Sequence, residues 1–594
     1  MTVFQNDPFI KRDYSCGYWG YILASSAFCF SAWSLLGQPA LIYHGGNAYG
    51  LLILASITIP FAGILFFKRQ KLLCSHFGFL SPSELYGSYF QSATLRLLIL
   101  SVSLVLIVGC FGLLLLSAGT FIHHVFDGTI SPITGMAGFC FLITLHSLVS
   151  HYRTFLSIAS FQFFLFIVGL FSLSMIIFVL SGGFDGFVDE LTNLPSREVP
   201  LFQVGSLVPQ YSQEVEPLSF PSKHLLTFTF LIGLMGLQMS PLFTIHALQA
   251  RDPNAFAPGQ VWWCGCLFGG LLIVVSIFIG QGAQIVQLAP TSSLDASHVT
   301  ERYLNFVPQL IKNIQALSPF LFGFISLSVI AALHMTAVLL LKLLLNMIAL
   351  DLSKASIFTT RFGQEAVRGT AYVLAVLFCT LFAFITLVLA INFPNAFPLL
   401  TTLGIAFSFQ MVPALIGVCY VPLFTGRAIL AGLIAGIIVV FLTDKTNGAI
   451  SGILGNQLPF GPHPYSIYSA VWGALVNLMV VIFVSSFTQN RNGLERRTEL
   501  HYFLETTLKK QTPRPFLLPF AWAVTFVWFF FAIGPGSSVQ SAFLAFDLFG
   551  SQFLSFWIWL GFWWAFGVFM LWLWAYPLQF SRFSGKSSFL SRLF

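Results

Sequence analysis

Fourteen long apolar stretches divide this chain, and they limit its fold more than any other feature. A helix needs roughly 20 apolar residues to cross the hydrocarbon core of a bilayer, and the stretches are close to or above that length. They are too long and too uninterrupted for the alternating strands of a membrane barrel. We therefore predict an all-α polytopic membrane protein with about 14 transmembrane helices. The approximate limits are 18–45, 50–67, 95–121, 130–150, 154–181, 224–248, 259–288, 313–350, 367–393, 396–422, 428–443, 466–487, 516–536 and 553–578.

The low charge content supports this prediction and excludes several functional classes. Only 8% of the 594 residues are charged and 57% are hydrophobic, whereas soluble domains carry about 25% charged residues. A soluble protein of this size needs far more polar side chains to cover its surface. A soluble enzyme, a nucleic-acid binder and a disordered protein are thus excluded. No nucleophile motif or phosphate-binding loop is present, so we do not expect an enzyme.

The distribution of basic residues predicts the orientation. With a cytoplasmic amino terminus and fourteen alternating spans, 21 of the 27 Lys and Arg residues fall on the cytoplasmic side, five fall outside and Lys342 lies within a span. This asymmetry is typical of membrane proteins with basic cytoplasmic loops. We predict a multi-pass protein of the cell inner (plasma) membrane with both termini cytoplasmic.

Two spans that are five positions apart carry similar helix-breaking residues. The first span contains Ser34-Leu-Leu-Gly37-Gln38-Pro39, and the sixth contains Gly233-Leu-Met-Gly236-Leu-Gln238-Met-Ser240-Pro241. Transporters often bind solute where corresponding spans of two inverted repeats are interrupted. The pair therefore predicts a five-plus-five repeat with both helices broken near the bilayer midplane. Ordinary kinks are the alternative, because Gly and Pro are common in membrane helices.

Polar residues near these breaks are the candidates for binding a small organic solute. Trp33, Ser34 and Gln38 lie on the first span, and Gln238 and Ser240 lie on the sixth. Trp33 has the alternative of packing against a helix or facing lipid. Gln410 on the tenth span is a further candidate, although polar groups there also serve to join helices.

Four segments that occur in the right order resemble one family of transporters. They are Phe30-Ser-Ala-Trp33-Ser-Leu-Leu-Gly37-Gln-Pro39-Ala in the first span, Ser81-Pro-Ser-Glu84-Leu-Tyr before the third, Ala331-Ala-Leu-His-Met-Thr336 in the eighth and Thr425-Gly-Arg427-Ala-Ile-Leu-Ala-Gly432 before the eleventh. These segments look like parts of the sodium–solute symporter family, and the resemblance covers about 18–490. It implies a LeuT-like fold with broken helices 1 and 6. The stretch 224–288 also resembles the transporter-like module of some sensor histidine kinases.

The resemblance further implies a sodium site between the first and eighth core helices. By position, its ligands would be the carbonyls of Ala27 and Phe30, with Ala332 and Thr336 on the eighth helix. The second hydroxyl position of the family is Met335 here, and a thioether is a poor ligand for a hard cation. Sodium is therefore expected to bind through a degenerate site, and coupling to a proton or no coupling at all remain open alternatives. No other cofactor is expected.

Lys342 and His334 form a second candidate ion site within the membrane. All 20 carboxylates fall outside the apolar stretches, so these two residues are among the few ionisable groups inside them. Lys342 is nine residues before Asp351, which is about 13 Å of helix, so it should face a wet cavity or a partner. It is a candidate for attracting an anion or exchanging a proton, with snorkelling of the side chain as the alternative. A buried histidine such as His334 is more often a hydrogen-bonded packing residue than a proton relay.

These features divide the chain into consecutive parts. The predicted order is a cytoplasmic amino terminus (1–17), first repeat (18–181), outer loop (182–223), second repeat (224–422), helices 11–12 (423–487), a cytoplasmic amphipathic linker lying on the membrane (488–515), helices 13–14 (516–580) and a cytoplasmic tail (581–594).

Two functions are consistent with this organisation. The first is a secondary active transporter, a symporter of an amino acid or carboxylate that works by alternating access with sodium or proton coupling. The second is a solute sensor that transports weakly or not at all and acts through a separate signalling partner. The expected partners are the lipid bilayer and the solute, and no nucleic acid. A homo-oligomer is an open alternative that no feature of the sequence supports.

Overall fold

The structure, a computed structural model, is helical through nearly all of the residues it describes. These residues are 16–45, 47–193, 220–286, 299–353, 364–444, 462–508, 516–534, 536 and 552–578. Most of the predicted amino-terminal segment 1–17, much of the outer loop 182–223 and the tail 581–594 lie outside them. Within these ranges the extended pairing is one isolated bridge, between Cys16 and Ala250.

Twelve helices in the described ranges are long and apolar enough to cross a bilayer. They are Tyr18–Tyr43, Tyr49–Phe77, Ala93–Val125, Pro132–Val149, Tyr152–Leu180, Pro253–Ile285, Pro319–Leu352, Gly369–Asn392, Ala396–Cys419, Gly426–Thr443, Ser469–Phe487 and Ser555–Ala575. A bent pair, Leu225–Met239 and Pro241–Gln249, forms one further span, and Leu517–Ile533 is a shorter apolar helix. Counted in chain order, with the bent pair as the sixth and Leu517–Ile533 as the thirteenth, these are called the first to fourteenth spans.

The prediction of an all-α, multi-pass membrane protein is confirmed, and each predicted stretch has a helix. Several boundaries differ from the prediction, among them those of the second and eighth spans. The second span continues for ten residues beyond position 67 to Phe77, because basic side chains there find carbonyl partners within the protein. Residues before Pro319 belong to a separate amphipathic helix, Val299–Gln315, and to the turn after it.

The pattern of helix contacts has the symmetry expected of two repeats. The third span packs on the tenth, and the eighth packs on the fifth. The third and eighth spans hold the same position in the two repeats, and so do the tenth and the fifth. In the same way, the contact of the third span with the fourth matches that of the eighth with the ninth. The contact of the first span with the seventh matches that of the sixth with the second. The arrangement is therefore the predicted five-plus-five core.

Glycines allow the closest of these helix contacts. A Cβ atom added to Gly404 of the tenth span would lie 2.5 Å from Leu106 Cα of the third span, and one on Gly109 would lie 2.5 Å from the backbone nitrogen of Thr401. Small residues at such positions let helix backbones approach each other in membranes, where van der Waals packing drives association.

The amphipathic segment that the sequence analysis places in the cytoplasm packs on other parts of the protein. Its helix, Arg491–Leu508, carries His501, whose Nε2 lies 2.8 Å from the Tyr89 hydroxyl and 3.1 Å from the Gly417 carbonyl oxygen. Burial lowers the pKa of His501 below its usual value. Arg497 donates a hydrogen bond of 2.7 Å to the Pro422 carbonyl. The segment thus links the short helix Pro82–Tyr89, which precedes the third span, to the end of the tenth span.

Replacing Gly404 with Ala should destabilise the protein, because the new methyl group would meet the backbone of Leu106 rather than a movable side chain. Overpacking of this kind costs about 1–3 kcal/mol. Gly138→Ala is the matched control, since an added Cβ there meets no atom within 4 Å. The thermal unfolding temperature of the purified protein should fall for Gly404→Ala only. Equal temperatures for both variants would show that the third and tenth spans are not in such close contact.

Candidate functional site

The sixth span is interrupted at the position that the sequence predicts. Its helix turns at Leu234 and Met235 and bends by 48° between Met239 and Pro241. Ser240 has an extended backbone (φ −60°, ψ 142°), its hydroxyl accepts a hydrogen bond from the Phe243 backbone N–H, and it caps the helix Pro241–Gln249. The Ser240 side chain is therefore used as a helix cap. The positive end of the dipole of that helix points at the break.

The interruption of the first span takes a different form. The helix does not unwind at Pro39, but it widens into a π-helical turn over Trp33–Gly37. This turn contains Leu35, whose carbonyl the missing N–H of Pro39 would otherwise bond. Such turns occur frequently at functional sites. Gly37 is needed here because a Cβ atom would lie 2.5 Å from the Trp33 ring. The Trp33 side chain folds over this glycine and is 41% exposed, so it does not enter the core.

The π-helical turn positions two buried polar side chains. Gln38 Nε2 donates to the Tyr49 carbonyl at 3.1 Å, whereas Gln38 Oε1 has no hydrogen-bond partner among the residues that the structure describes. Within the same residues, the hydroxyl of Ser34 is also buried without a partner. Burial of an unsatisfied polar group costs about 1–3 kcal/mol, so these atoms favour a ligand or water beside them.

A buried cluster of polar groups joins the first, second, sixth and seventh spans. Gln238 Nε2 donates to Gln260 Oε1 at 2.8 Å and to Cys29 Sγ at 3.6 Å, and Gln260 Nε2 donates to the Tyr21 hydroxyl at 3.5 Å. Gly63 of the second span packs directly against Gln238, since a Cβ atom added to Gly63 would lie 2.4 Å from Gln238 Oε1. These five residues are called the Gln238 cluster.

One acceptor atom of the Gln238 cluster is left open. Gln238 Oε1 is buried and has no hydrogen-bond partner in the described part of the chain. Sequence analysis selected Gln238 but missed Gln260, Tyr21 and Gly63. Gln260 is a polar residue within an apolar span, but its pairing with Gln238 depends on how the sixth and seventh spans pack.

His246 next to this cluster is fully hydrogen-bonded. Its Nδ1 lies 2.9 Å from the Tyr152 hydroxyl, and its Nε2 lies 3.1 Å from the Ser25 hydroxyl and 3.2 Å from the Tyr21 carbonyl oxygen. The Tyr21 and His246 rings are stacked, with centroids 4.9 Å apart. His246 therefore ties the first, fifth and sixth spans together as a structural residue.

The four predicted sodium ligands lie on two helices that pack against each other. Ala27 and Phe30 are buried on the first span, which packs on the eighth, where Ala332 and Thr336 are buried. The Thr336 hydroxyl donates a hydrogen bond of 2.8 Å to the Ala332 carbonyl. The Ala332 carbonyl and the Thr336 hydroxyl are thus adjacent. Binding of sodium by these residues stays a prediction.

The hydrogen bonds of Gln410 are with residues of the tenth and twelfth spans. Its Nε2 donates to the carbonyls of Ala406 and Ala470, both at 3.0 Å, and Asn477 donates to its backbone carbonyl at 2.7 Å. The side chain is packed against Gly436 and Gly473 of the eleventh and twelfth spans. Gln410 therefore joins the tenth, eleventh and twelfth spans.

Lys342 has a partner that the sequence did not indicate. Its ammonium donates to the Ser147 carbonyl at 2.8 Å and to the Ser150 carbonyl. These carbonyls end the fourth span, where the dipole of a helix favours a positive charge. The partner expected for the Lys342 side chain is therefore the carboxyl end of the fourth span.

His334 is connected to two residues that sequence analysis did not place in a site. Its Nε2 lies 3.1 Å from Nδ1 of His146, and its Nδ1 lies 3.0 Å from Nε2 of Gln162. His334 and Lys342 thus both contact the end of the fourth span, but they do so through different partners.

Backbone and basic groups hold the first, second and sixth spans together at the predicted cytoplasmic face. The Cys16 N–H donates to the Gln249 carbonyl at 2.9 Å, and the Arg251 N–H donates to the Cys16 carbonyl at 3.0 Å. Lys71 of the second span donates to the Leu248 carbonyl at 2.6 Å. These hydrogen bonds join the ends of the three spans to one another.

The contact symmetry and the two interruptions together define a membrane protein with the LeuT fold. No protein family matches the sequence, and no curated protein matches it. The structure is similar to a Na⁺-coupled sialic acid symporter in a substrate-bound, outward-open state, with a TM-score of 0.56, 12% identity, and coverage of 82% of this chain and 94% of that chain. The likeness shows the fold.

Two further solved structures are similar at lower scores. One is MhsT in complex with L-phenylalanine, with a TM-score of 0.41, 14% identity, and coverage of 80% of this chain and 100% of that chain. The other is Mhp1, a nucleobase-cation-symport-1 family transporter bound to bromovinylhydantoin, with a TM-score of 0.41, 12% identity, and coverage of 82% and 97%.

Replacing Lys342 with Met should lower the free energy of unfolding by about 1–3 kcal/mol, because buried carbonyls at the end of the fourth span lose a charged donor. Membrane insertion should be unaffected. Lys312→Met is the control, since Lys312 pairs with Asp127 at an exposed site where an ion pair contributes little. Thermal unfolding of the purified variants measures the difference. An unfolding temperature for Lys342→Met equal to that of the wild type would remove Lys342 from this structural role.

Proposed function

We propose that this chain is a secondary active transporter that moves a small organic solute, an amino acid or a carboxylate, by alternating access. Coupling is to sodium or to a proton, the protein belongs to the sodium–solute symporter family, and it works in the cell inner membrane with both termini in the cytoplasm. The observation that carries this proposal is the Gln238 cluster, which is buried beside the bent sixth span and leaves an acceptor oxygen unused.

The chemistry of the open atoms supports a zwitterionic solute. The unpartnered oxygens of Gln38 and Gln238 accept hydrogen bonds, and the Ser34 hydroxyl can accept one as well. These three oxygens can therefore accept hydrogen bonds from the N–H groups of a solute's ammonium. The positive end of the Pro241–Gln249 helix suits a carboxylate. An amino acid carries both groups, and a simple carboxylate would use the helix end alone.

The sensor is the second candidate, and one observation favours it. The helix Arg491–Leu508 packs on the short helix before the third span and on the end of the tenth span, so it would transmit movement there to a separate partner. Measurement of net flux separates the candidates. Uptake of a radiolabelled solute into proteoliposomes indicates a transporter, and binding without uptake indicates a sensor.

The solute can be found by screening the purified protein against the 20 proteinogenic amino acids and short mono- and dicarboxylates for a rise in unfolding temperature. Uptake of the best ligand is then measured with a sodium gradient, with lithium in place of sodium, and with a proton gradient alone. We expect uptake against a concentration gradient in at least one of the coupled conditions. Equilibration without accumulation in all three would contradict secondary active transport.

Replacing Gln238 with Leu should weaken binding of that solute by about tenfold to a hundredfold, which corresponds to the loss of one or two hydrogen bonds to a charged group. Gln70→Leu is the matched control. Gln70 of the second span is also buried, and its Oε1 has no partner among the described residues, but its Nε2 donates to the Tyr86 hydroxyl away from the proposed site. Isothermal titration calorimetry measures the affinity of each variant for the solute. Unchanged affinity in Gln238→Leu would place the solute elsewhere.

A further inference from the structure

Two amide side chains of the proposed solute site are oriented by different kinds of partner. Gln38 Nε2 donates to the Tyr49 backbone carbonyl at 3.1 Å, and because a carbonyl only accepts, the backbone fixes the orientation of the Gln38 amide. The partners of Gln238 among the described residues are side chains. Its Nε2 donates to Gln260 Oε1 at 2.8 Å and to Cys29 Sγ at 3.6 Å. The orientation of the Gln238 amide therefore depends on Gln260, the closer of these partners.

Packing does not distinguish the two orientations of the Gln238 amide. Gln238 lies in the single turn Gly236–Met239, directly before the bend at Ser240, and its side chain is completely buried. An amide that turns over exchanges its oxygen and its nitrogen with almost no change of shape, although it exchanges an acceptor for two donors. The orientation must therefore come from the hydrogen bonds of this side chain.

The hydrogen bonds favour the orientation seen in the structure. Each of the two hydrogens on Gln238 Nε2 has an acceptor, one on Gln260 and one on Cys29. If the Gln238 amide alone turned over, its oxygen would face Gln260 Oε1, and two acceptors would lie side by side without a hydrogen between them. An oxygen at position 260 thus holds the nitrogen of Gln238 and leaves the Gln238 oxygen open.

Gln260 is placed by the packing of the seventh span on the first. It is completely buried, and its Nε2 donates to the Tyr21 hydroxyl at 3.5 Å. The Tyr21 ring is stacked on the His246 ring, with centroids 4.9 Å apart, so the hydroxyl has a defined position. Tyr21 therefore takes the nitrogen of the Gln260 amide, and the Gln260 oxygen is left to accept from Gln238.

An open amide oxygen restricts the solute to compounds that donate a hydrogen bond. Gln238 Oε1 is buried and has no partner in the described part of the chain. A solute N–H satisfies this oxygen, whereas a solute without a donor leaves it unpaired, which is unfavourable away from water. A site that bonds a substrate N–H therefore strongly rejects analogues that lack it. Because an amide is uncharged, the selection is for the N–H group and not for positive charge alone.

We propose that Gln260 is a positioning residue that turns the Gln238 oxygen toward the solute, and that the solute is an amino acid whose ammonium N–H groups bond this oxygen. The inference rests on the proposed function, and it narrows the solute from an amino acid or a carboxylate to a compound with an N–H-bearing ammonium. Carboxylates without an amino group and quaternary ammonium compounds are rejected, because neither can donate to Gln238.

The solute class is tested with three probes: the proteinogenic amino acid that stabilises the protein most in the thermal screen, the same compound without its amino group, and its N,N,N-trimethyl derivative. One analogue is smaller than the amino acid and the other is larger, but neither has an N–H, so size does not explain weak binding of both. Isothermal titration calorimetry of the wild type should give an affinity about tenfold lower or less for each analogue. Equal or tighter binding of either analogue would overturn the proposed solute class.

The positioning role is tested with variants of Gln260. Gln260→Leu should lower the affinity for the amino acid about tenfold and leave that for the two analogues nearly unchanged, so the preference should disappear. Gln260→Glu should retain the preference, because a carboxyl oxygen accepts from Gln238 Nε2 in either protonation state. Gln284→Leu is the matched control in the same span, since Gln284 Nε2 donates to the Tyr43 carbonyl at 2.8 Å. A preference that survives Gln260→Leu, or is lost in Gln260→Glu, would overturn the role.

The pairing of the two amides is tested without any solute by a double-mutant cycle. Gln238→Leu and Gln260→Leu should each lower the unfolding temperature, because each leaves the other amide without its partner. The double variant leaves neither amide unpaired, so its loss should be smaller than the sum of the two single losses. Strictly additive losses would show that the two side chains do not bond each other, and would overturn the positioning role.

Failure of this inference differs from failure of the proposed function. Coupled uptake of a carboxylate without an amino group would support secondary active transport and refute the solute class. A wild type that neither binds nor takes up any amino acid or carboxylate would refute the proposed function and the solute class together. In that case the double-mutant cycle still decides whether Gln260 orients Gln238.

Discussion

The fold depends on the rule that lipid offers no hydrogen-bond partner to the backbone, so every interruption of a membrane helix must be satisfied within the protein. At the sixth span Ser240 caps the second half of the helix, and at the first span a π-helical turn keeps the helix hydrogen-bonded while widening it. Gln260 of the seventh span, close to Gly63 of the second, bonds Gln238 beside the bend. The interruptions and the polar cluster are thus parts of one helix junction.

Cations at helix ends are the second recurring device of this structure. Lys342 contacts the end of the fourth span, Lys71 donates to the Leu248 carbonyl at the end of the sixth, and Arg69 donates to the Cys419 carbonyl at the end of the tenth at 3.1 Å. Each places a positive charge at the negative end of a helix dipole. Arg69 and Lys71, two of the basic residues that predicted the orientation of the chain, therefore also fasten neighbouring spans to one another.

Hydropathy alone predicted nearly all of the helices, because each must match the thickness of a bilayer. It failed at the end of the second span, where a basic run looked like a loop, since a sequence does not show which carbonyls will receive the charges. The sequence likewise identified Gln238 and His334 but not their partners Gln260 and His146. Such pairs depend on how distant helices pack, and Gln410 shows that a buried amide can serve to join helices instead.

A structure of the protein determined by electron cryomicroscopy in the presence of its solute tests the central claim most directly. The account predicts solute density against Gln238, between the π-helical turn of the first span and the bend of the sixth at Ser240. Solute density at another place, or a sixth span that runs straight and fully hydrogen-bonded through Ser240, would contradict it.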